Sequence, residues 1–205
     1  MFWLRFIQTY LIHLACCSRP IMKQREKILS NAEGLVLEIG FGSGLNLEFY
    51  DKGKIKKILA LEPSLEMQKL AKKQIEKSSI DIEFLTSYAE NIPLKDNSIN
   101  TVVCTYTLCS IINTKSALLE IRRVLKKGGK LLISEHVKSP DKKVSIFQKR
   151  LNPLWKRIAG GCNINCDTKK KLADVGFNIT ELNEMYLPNT AKFIGYNIWG
   201  ALENN

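Results

Sequence analysis

Three glycines, Gly40, Gly42 and Gly44, follow the apolar run Leu35–Ile39 at alternate positions, and Glu38 stands two residues before the first of them. Where a strand gives way to a helix, glycines let the backbone approach a ligand without a Cβ in the way. The helix N-terminus there offers N–H donors and a positive dipole. Glu62 closes the next apolar run, Lys57–Leu61, twenty residues after Gly42, at the position where a carboxylate accepts both hydroxyls of a ribose. The pair describes a nucleoside site, with bare backbone on one side and an acid on the other. A dinucleotide fits it poorly, because that fingerprint needs a third glycine three residues after the second. Here Gly42 is followed by Gly44 and then by Leu45-Asn46-Leu47. Glu38 would repel a pyrophosphate and suits an ammonium group instead.

Further along, His136 sits beside Glu135 at the end of the run Lys130–Glu135. It is the candidate catalytic base, the alternative being a hydrogen-bonded structural histidine. Cys162 follows Gly160 and Gly161 within a segment rich in Lys, Trp and Cys, Val144–Cys166, which is expected to cover the site. Tyr106, Trp155 and Cys162 are the candidate walls of an acceptor pocket, although aromatics near apolar runs also serve as core. No metal is expected: the six cysteines include no CxxC pair, and His13 and His136 are the sole imidazoles. A four-ligand site would require distant cysteines to converge. Cys104, inside an apolar run, reads as a small core residue in a reducing compartment.

These residues need a scaffold, and 205 residues with 45% hydrophobic content suffice for one buried core. A single domain over 1–205 is expected: an N-terminal helical segment (1–31), a ligand-binding core (34–137), and a covering segment with C-terminal strands (138–205). The net charge of +11 invites a polyanion partner, yet only seven of the 31 basic residues are arginines and the lysines lie along almost every element. That distribution describes a solvated surface, so nucleic acid is not expected as a partner, while attraction to anionic lipid stays open. In residues 2–17, Arg5, Gln8, Thr9 and His13 form a polar stripe opposite Trp3, Phe6, Ile7, Tyr10, Leu11 and Leu14. The segment falls short of the ~20 apolar residues of a membrane span. It reads as an amphipathic helix that packs on the domain or lies on a bilayer surface, giving a cytoplasmic protein with peripheral membrane contact through residues 2–17.

From Leu35 onward, short apolar runs alternate with charged segments of helical period, the pattern of parallel strands joined by crossover helices. Strands are expected at Leu35–Ile39, Lys57–Leu61, Ile82–Leu85, Thr101–Thr105 and Lys130–Glu135, with two more near Asn178–Met185 and Lys192–Gly200 forming an antiparallel edge. Helices are expected at Ser64–Lys77, burying Leu65, Leu70 and Ile75, and at Thr114–Lys126, burying Leu118, Leu119 and Val124. Gly128 and Gly129 would stop the second, and a short helix would begin near Asp167.

Leu37 to Gly44 resembles the first cofactor motif of the class I S-adenosylmethionine-dependent methyltransferases, type 11 branch. Glu62-Pro63-Ser64 is similar to their second motif, and Ala89-Glu90-Asn91-Ile92-Pro93 to the loop flanking the adenine. Thr101 to Thr105 resembles their fourth strand, whose end faces the methyl group, and Arg123 to Gly129 the turn before strand five. A narrower similarity lies in Thr105-Tyr106-Thr107-Leu108-Cys109-Ser110, Glu135-His136-Val137 and Trp155 to Cys162. These look like bacterial relatives of the methyltransferase-like thiol methyltransferases of animal endoplasmic membranes and, more distantly, like bacterial phosphatidylethanolamine N-methyltransferases. Asn100 departs from the aspartate usual there, and Asn163 and Cys166 from the expected His and Arg.

The resemblance implies an α/β, Rossmann-like, seven-stranded and mostly parallel sheet with helices on both faces. It implies S-adenosylmethionine held by Glu38, Gly40, Gly42, Gly44, Glu62, Pro63, Ala89, Glu90 and Thr105, and a small or lipid-like acceptor, a thiol or a phospholipid amine. Methyl transfer from a sulfonium is an in-line displacement with an activated leaving group, so positioning dominates. The alternatives are a non-catalytic cofactor-binding module and a nucleic-acid methyltransferase, although no Asn-Pro-Pro-aromatic motif is present.

Overall fold

The computed structural model describes residues 2–179 and 182–204, with backbone alone for residues 2–7. The expected faces at Trp3, Arg5, Phe6 and Ile7, and Thr180 and Glu181 of the strand expected over Asn178–Met185, lie outside the described residues. Seven strands form one sheet: β1 (Gly34–Ile39), β2 (Ile55–Leu61), β3 (Ile82–Leu85), β4 (Ile99–Thr105), β5 (Leu125–His136), β6 (Asn183–Tyr186) and β7 (Tyr196–Glu203). Their order is β3-β2-β1-β4-β5-β7-β6. The first five are parallel, and β7 runs antiparallel to both β5 and β6. This is the Rossmann-like methyltransferase architecture, with the strand order reversing between β1 and β4.

The inner strands read as near-continuous apolar runs because helices cover both faces of a parallel sheet. Alternate residues serve opposite sides. On one side Leu37, Ile39, Val102 and Ile133 pack with Leu118 and Ile121 of α4 (Thr114–Val124). On the other, Val36, Ile58, Val103 and Leu132 pack with Ile28 and Leu29 of α2 (Arg19–Leu29). Helix starts follow local chemistry. Ser64, Asn113, Asp141 and Asp167 each accept a backbone N–H from the first turn of α3 (Leu65–Lys77), α4, α5 (Lys142–Ile158) and α6 (Thr168–Asp174). α1 (Phe2–Cys16) precedes the sheet, and the single turn α7 (Lys192–Gly195) precedes β7.

Several expectations are corrected. No α-helix follows the glycine turn: residues 41–50 form successive turns, because Asn46 and Tyr50 bond inward to Glu38 and fix the chain there. Leu65 and Leu119 are 58% and 49% exposed, at the edges of apolar faces whose buried centres are Ala71 and Leu118. α4 ends at Val124, before the glycines, and Gly128 lies within β5. The side chain of Asn204 caps the end of α4 from across the sheet, donating to Arg122 O and Leu125 O. The segment Val144–Cys166 is mostly the helix α5, with Pro153 inside it. The last strand starts at Tyr196, Lys192–Gly195 being helical.

Gln148 fastens α5 to the sheet. Fully buried, it accepts from Ser139 N (2.9 Å) and donates to Val137 O, Ile164 O and Phe193 O (3.2, 2.9 and 3.0 Å). Gln148→Leu strands these backbone groups and is expected to lower unfolding free energy by about 2–4 kcal/mol in urea denaturation.

Candidate active site

At the carboxyl ends of the parallel strands lies a cavity of about 860 Å³, within the roughly 300–1,000 Å³ of small-molecule sites. It occupies the crevice where the strand order reverses, the place at which open α/β sheets bind ligands. Its floor is the turn after β1. Gly40 has φ +68°, and a Cβ there would sit 2.5 Å from Thr107 Oγ1 and Cγ2. Gly42 has φ +58° and open space where its Cβ would be, the nearest heavy atom being Gly40 O at 3.8 Å. The backbone is therefore bare on the side a ligand approaches.

Glu62 stands opposite. Its Oε2 accepts from Gly42 N and its Oε1 from Ser64 N, both at 2.9 Å. Burial raises its pKa, against the lowering effect of the Ser64 and Gly42 amides. Each carboxylate oxygen keeps a lone pair for a further donor, which is what the two ribose hydroxyls require. Pro63, Met67, Ala89 and Glu90 continue this wall. Glu90 also accepts from Asn113 N at 3.1 Å, tying the loop after β3 to the start of α4.

Two proposed cofactor ligands lie elsewhere. Glu38 and Gly44 do not line the cavity. The oxygens of Glu38 accept from Asn46 Nδ2 (2.9 Å) and Tyr50 OH (2.6 Å), and burial pushes its pKa up to about 7. Its carboxylate anchors the turn from beneath. Thr105 does reach the cavity, where its Oγ1 accepts from Arg25 Nη1 at 2.6 Å. Arg25, which also donates to Asn46 Oδ1 at 2.7 Å, was not singled out from the sequence. It is buried at the cavity wall, and its Nε has no hydrogen-bond partner among the described residues. The available signal was its place between Ile21 and Ile28 on the apolar face of α2.

The far end of the cavity brings together Tyr106, His136, Trp155 and Cys162, and adds Cys109. His136 Nε2 lies 3.1 Å from Cys162 Sγ, and Trp155 Nε1 donates to the same sulfur at 3.4 Å. The Cys109 thiol, Trp155 and the His136 charge together pull the Cys162 thiol down to about 4 despite its burial. Burial alone would lower the pKa of His136, but Cys162 outweighs it and holds the imidazole protonated upward of its usual range. The Nε2 of His136 is thus committed to Cys162, so a free-base role for this histidine is not what the geometry presents. Tyr106 adopts φ +54°, a conformation rare outside glycine and concentrated at functional sites. Its OH donates to Asn197 Oδ1 at 2.7 Å, and its ring stacks on His136.

α1 closes the mouth. Its polar stripe faces inward: Gln8, Thr9 and His13 line the cavity, and His13 Nδ1 lies 2.6 Å from Ser43 Oγ of the glycine turn. Gln8 Nε2 donates to Arg157 O and Ile158 O at 3.0 and 3.1 Å, seating α1 on the end of α5.

A reversing parallel sheet with an antiparallel edge, a bare turn after β1 and a carboxylate after β2 defines the class of S-adenosylmethionine-dependent methyltransferases. A family model described as a methyltransferase domain matches residues 37–133. Thiol S-methyltransferase TMT1B of Rattus norvegicus is 35% identical over 172 residues, covering 82% of this chain and 70% of the relative. Thiol S-methyltransferase TMT1A of Homo sapiens is 29% identical over 204 residues, covering 97% and 83%. Among solved structures, a SAM-dependent methyltransferase of Aquifex aeolicus superposes with a TM-score of 0.67 at 19% identity, covering 96% of this chain and 98% of that one. The chain belongs to the type 11 methyltransferase family, and S-adenosylmethionine is its cofactor.

Glu62→Ala is expected to weaken S-adenosylmethionine binding tenfold or more, about 1.4 kcal/mol, measured by isothermal titration calorimetry. Gly40→Ala, strained in φ and clashing with Thr107, should weaken it at least as much.

Proposed function

We propose that the chain methylates small apolar thiols at sulfur. The observation that carries this reading is the lining of the far end of the cavity, where Tyr106, Trp155, Cys109 and Cys162 form a soft, polarisable wall, the Trp155 N–H and the His136 imidazole being engaged with Cys162 Sγ. A polarisable sulfur acceptor suits such a wall. The printed activity of the thiol S-methyltransferase relatives supports the same choice.

The residues present fit the cofactor. Glu62 offers two carboxylate oxygens to the ribose, the Gly40–Gly42 backbone leaves room for the chain that leads to the sulfur, and Ala89 and Pro63 flank the base. Arg25, the one arginine on the cavity wall with no lysine beside it among the described residues, suits the terminal carboxylate of the methionine portion. When bound, the cofactor supplies an electrophilic sulfonium methyl. The chain orients the acceptor and excludes water beneath α1. Labelled cofactor offered with an aliphatic thiol, phosphatidylethanolamine vesicles and RNA should yield a labelled thioether alone. Label in the lipid amine or the RNA, with none in the thiol, overturns the reading. His136→Ala removes the imidazole that holds Cys162 in the pocket wall and should lower kcat/KM about tenfold for aliphatic and aromatic thiols alike.

We further propose that the chain works at an anionic membrane surface. With the polar stripe of α1 turned inward, Tyr10, Leu11 and Leu14 face outward, Leu11 being 59% exposed. Ile146, Phe147, Leu154 and Ile158 of α5 are also exposed, with Lys142, Lys143, Lys149, Arg150 and Lys156 on the same helix. No helix among the described residues is long and apolar enough to cross a membrane. Apolar side chains with flanking cations suit an interfacial helix instead. Flotation with anionic liposomes should retain the chain, and Leu11→Glu with Leu14→Glu should abolish retention.

A further inference from the structure

Three side chains from distant parts of the sequence meet at the acceptor end of the cavity. Cys109 lies in the turn after β4, His136 at the end of β5 and Cys162 in the turn after α5, and their sulfur and nitrogen atoms all lie within 4.8 Å of one another. A tetrahedral zinc ion with Zn–S near 2.3 Å and Zn–N near 2.0 Å spaces such atoms at about 3.5–3.8 Å. The observed spacing exceeds that geometry by about an ångström at most.

The backbone is already fixed to hold them. Asn163 N and Nδ2 both donate to Cys109 O at 2.9 Å, locking the turn that carries Cys162 against the turn that carries Cys109. Asn152 Nδ2 in turn donates to Asn163 Oδ1 at 3.1 Å. Stacking with Tyr106 sets the plane of the His136 ring, and the Trp155 N–H donates to Cys162 Sγ, an outer hydrogen bond of the kind that orients a thiolate ligand. The Glu135 carboxylate is fully buried beside the cluster, with Oε2 lacking a partner among the described residues.

We propose that Cys109 Sγ, His136 Nε2 and Cys162 Sγ form a binding site for a thiophilic divalent cation, zinc foremost, with its fourth position open to the cavity. Two sulfurs and one imidazole are the donor set soft cations favour, and three protein ligands with one open position is the arrangement of a zinc site that takes a substrate. All three residues line the cavity wall, so the open position faces the space where an acceptor enters. On the thiol reading given above, and only on it, that position takes the acceptor sulfur. The acceptor S–H bond breaks, a sulfur–metal bond forms, and the proton passes to solvent.

The test uses the full chain, reduced, stripped of metal with a chelator and titrated with cobalt(II). One equivalent should bind and produce the strong visible bands of tetrahedral cobalt together with a thiolate-to-cobalt charge-transfer band. Cys109→Ser and Cys162→Ser should each weaken cobalt binding more than tenfold and diminish the charge-transfer band, whereas Cys17→Ser should leave both unchanged. Adding an aliphatic thiol should shift the visible bands. Cofactor affinity measured on the same preparations confirms that each variant is folded. Absence of the charge-transfer band, or its survival in Cys162→Ser, overturns the cation site. Full thiol methylation by chelator-stripped protein overturns the acceptor role while leaving the methyltransferase reading intact. Cobalt binding with no methylation of any thiol overturns the thiol reading and with it the acceptor role, and leaves the cation site standing.

Discussion

The site depends on one carboxylate being held in place. Glu62 is buried at the end of β2, where an unpartnered charge would be costly, and two backbone amides offset that cost. One amide belongs to Gly42 on the turn after β1 and the other to Ser64 at the start of α3. The carboxylate thereby joins the ends of two neighbouring parallel strands and sets the width of the cleft. It is available to a ligand because each amide uses only part of the acceptor capacity of its oxygen.

Beneath the same turn, a buried polar network does what a helix was expected to do. Glu38, Asn46, Tyr50, Thr105 and Arg25 link β1, the turn segment, β4 and α2 through bonds of 2.6–3.0 Å. Such networks fix a conformation when every member is satisfied and destabilise it when one is missing. Here the member left incomplete, Arg25 Nε, is buried from solvent, while Arg25 as a residue reaches the cavity wall.

The outer layer follows a different logic. α1 turns its polar stripe toward the cavity and its apolar residues outward, the reverse of a helix packing on a core. The inward stripe meets Ser43 of the glycine turn and the last carbonyls of α5. One helix thus closes the cofactor end and the acceptor end together, leaving an apolar surface above the opening.

The first five strands and the glycine–acid spacing were legible in the sequence because they depend on neighbours a few residues apart, or on one crossover of ordinary length. The exposure of Leu65 and Leu119 was not, since a helical period cannot say how far around the helix its cover extends. Nor was the end of α4, which Asn204 decides from the last strand. The sequence by itself determined the sheet and its cofactor class, and it singled out Glu62 as a candidate ligand. Only the tertiary structure decided that Glu38 supports the turn, that Arg25 reaches the cavity, and that Cys109, His136 and Cys162 meet. Those outcomes depend on which strand ends and turns share one edge of the sheet, and spacing along a chain carries no record of that adjacency.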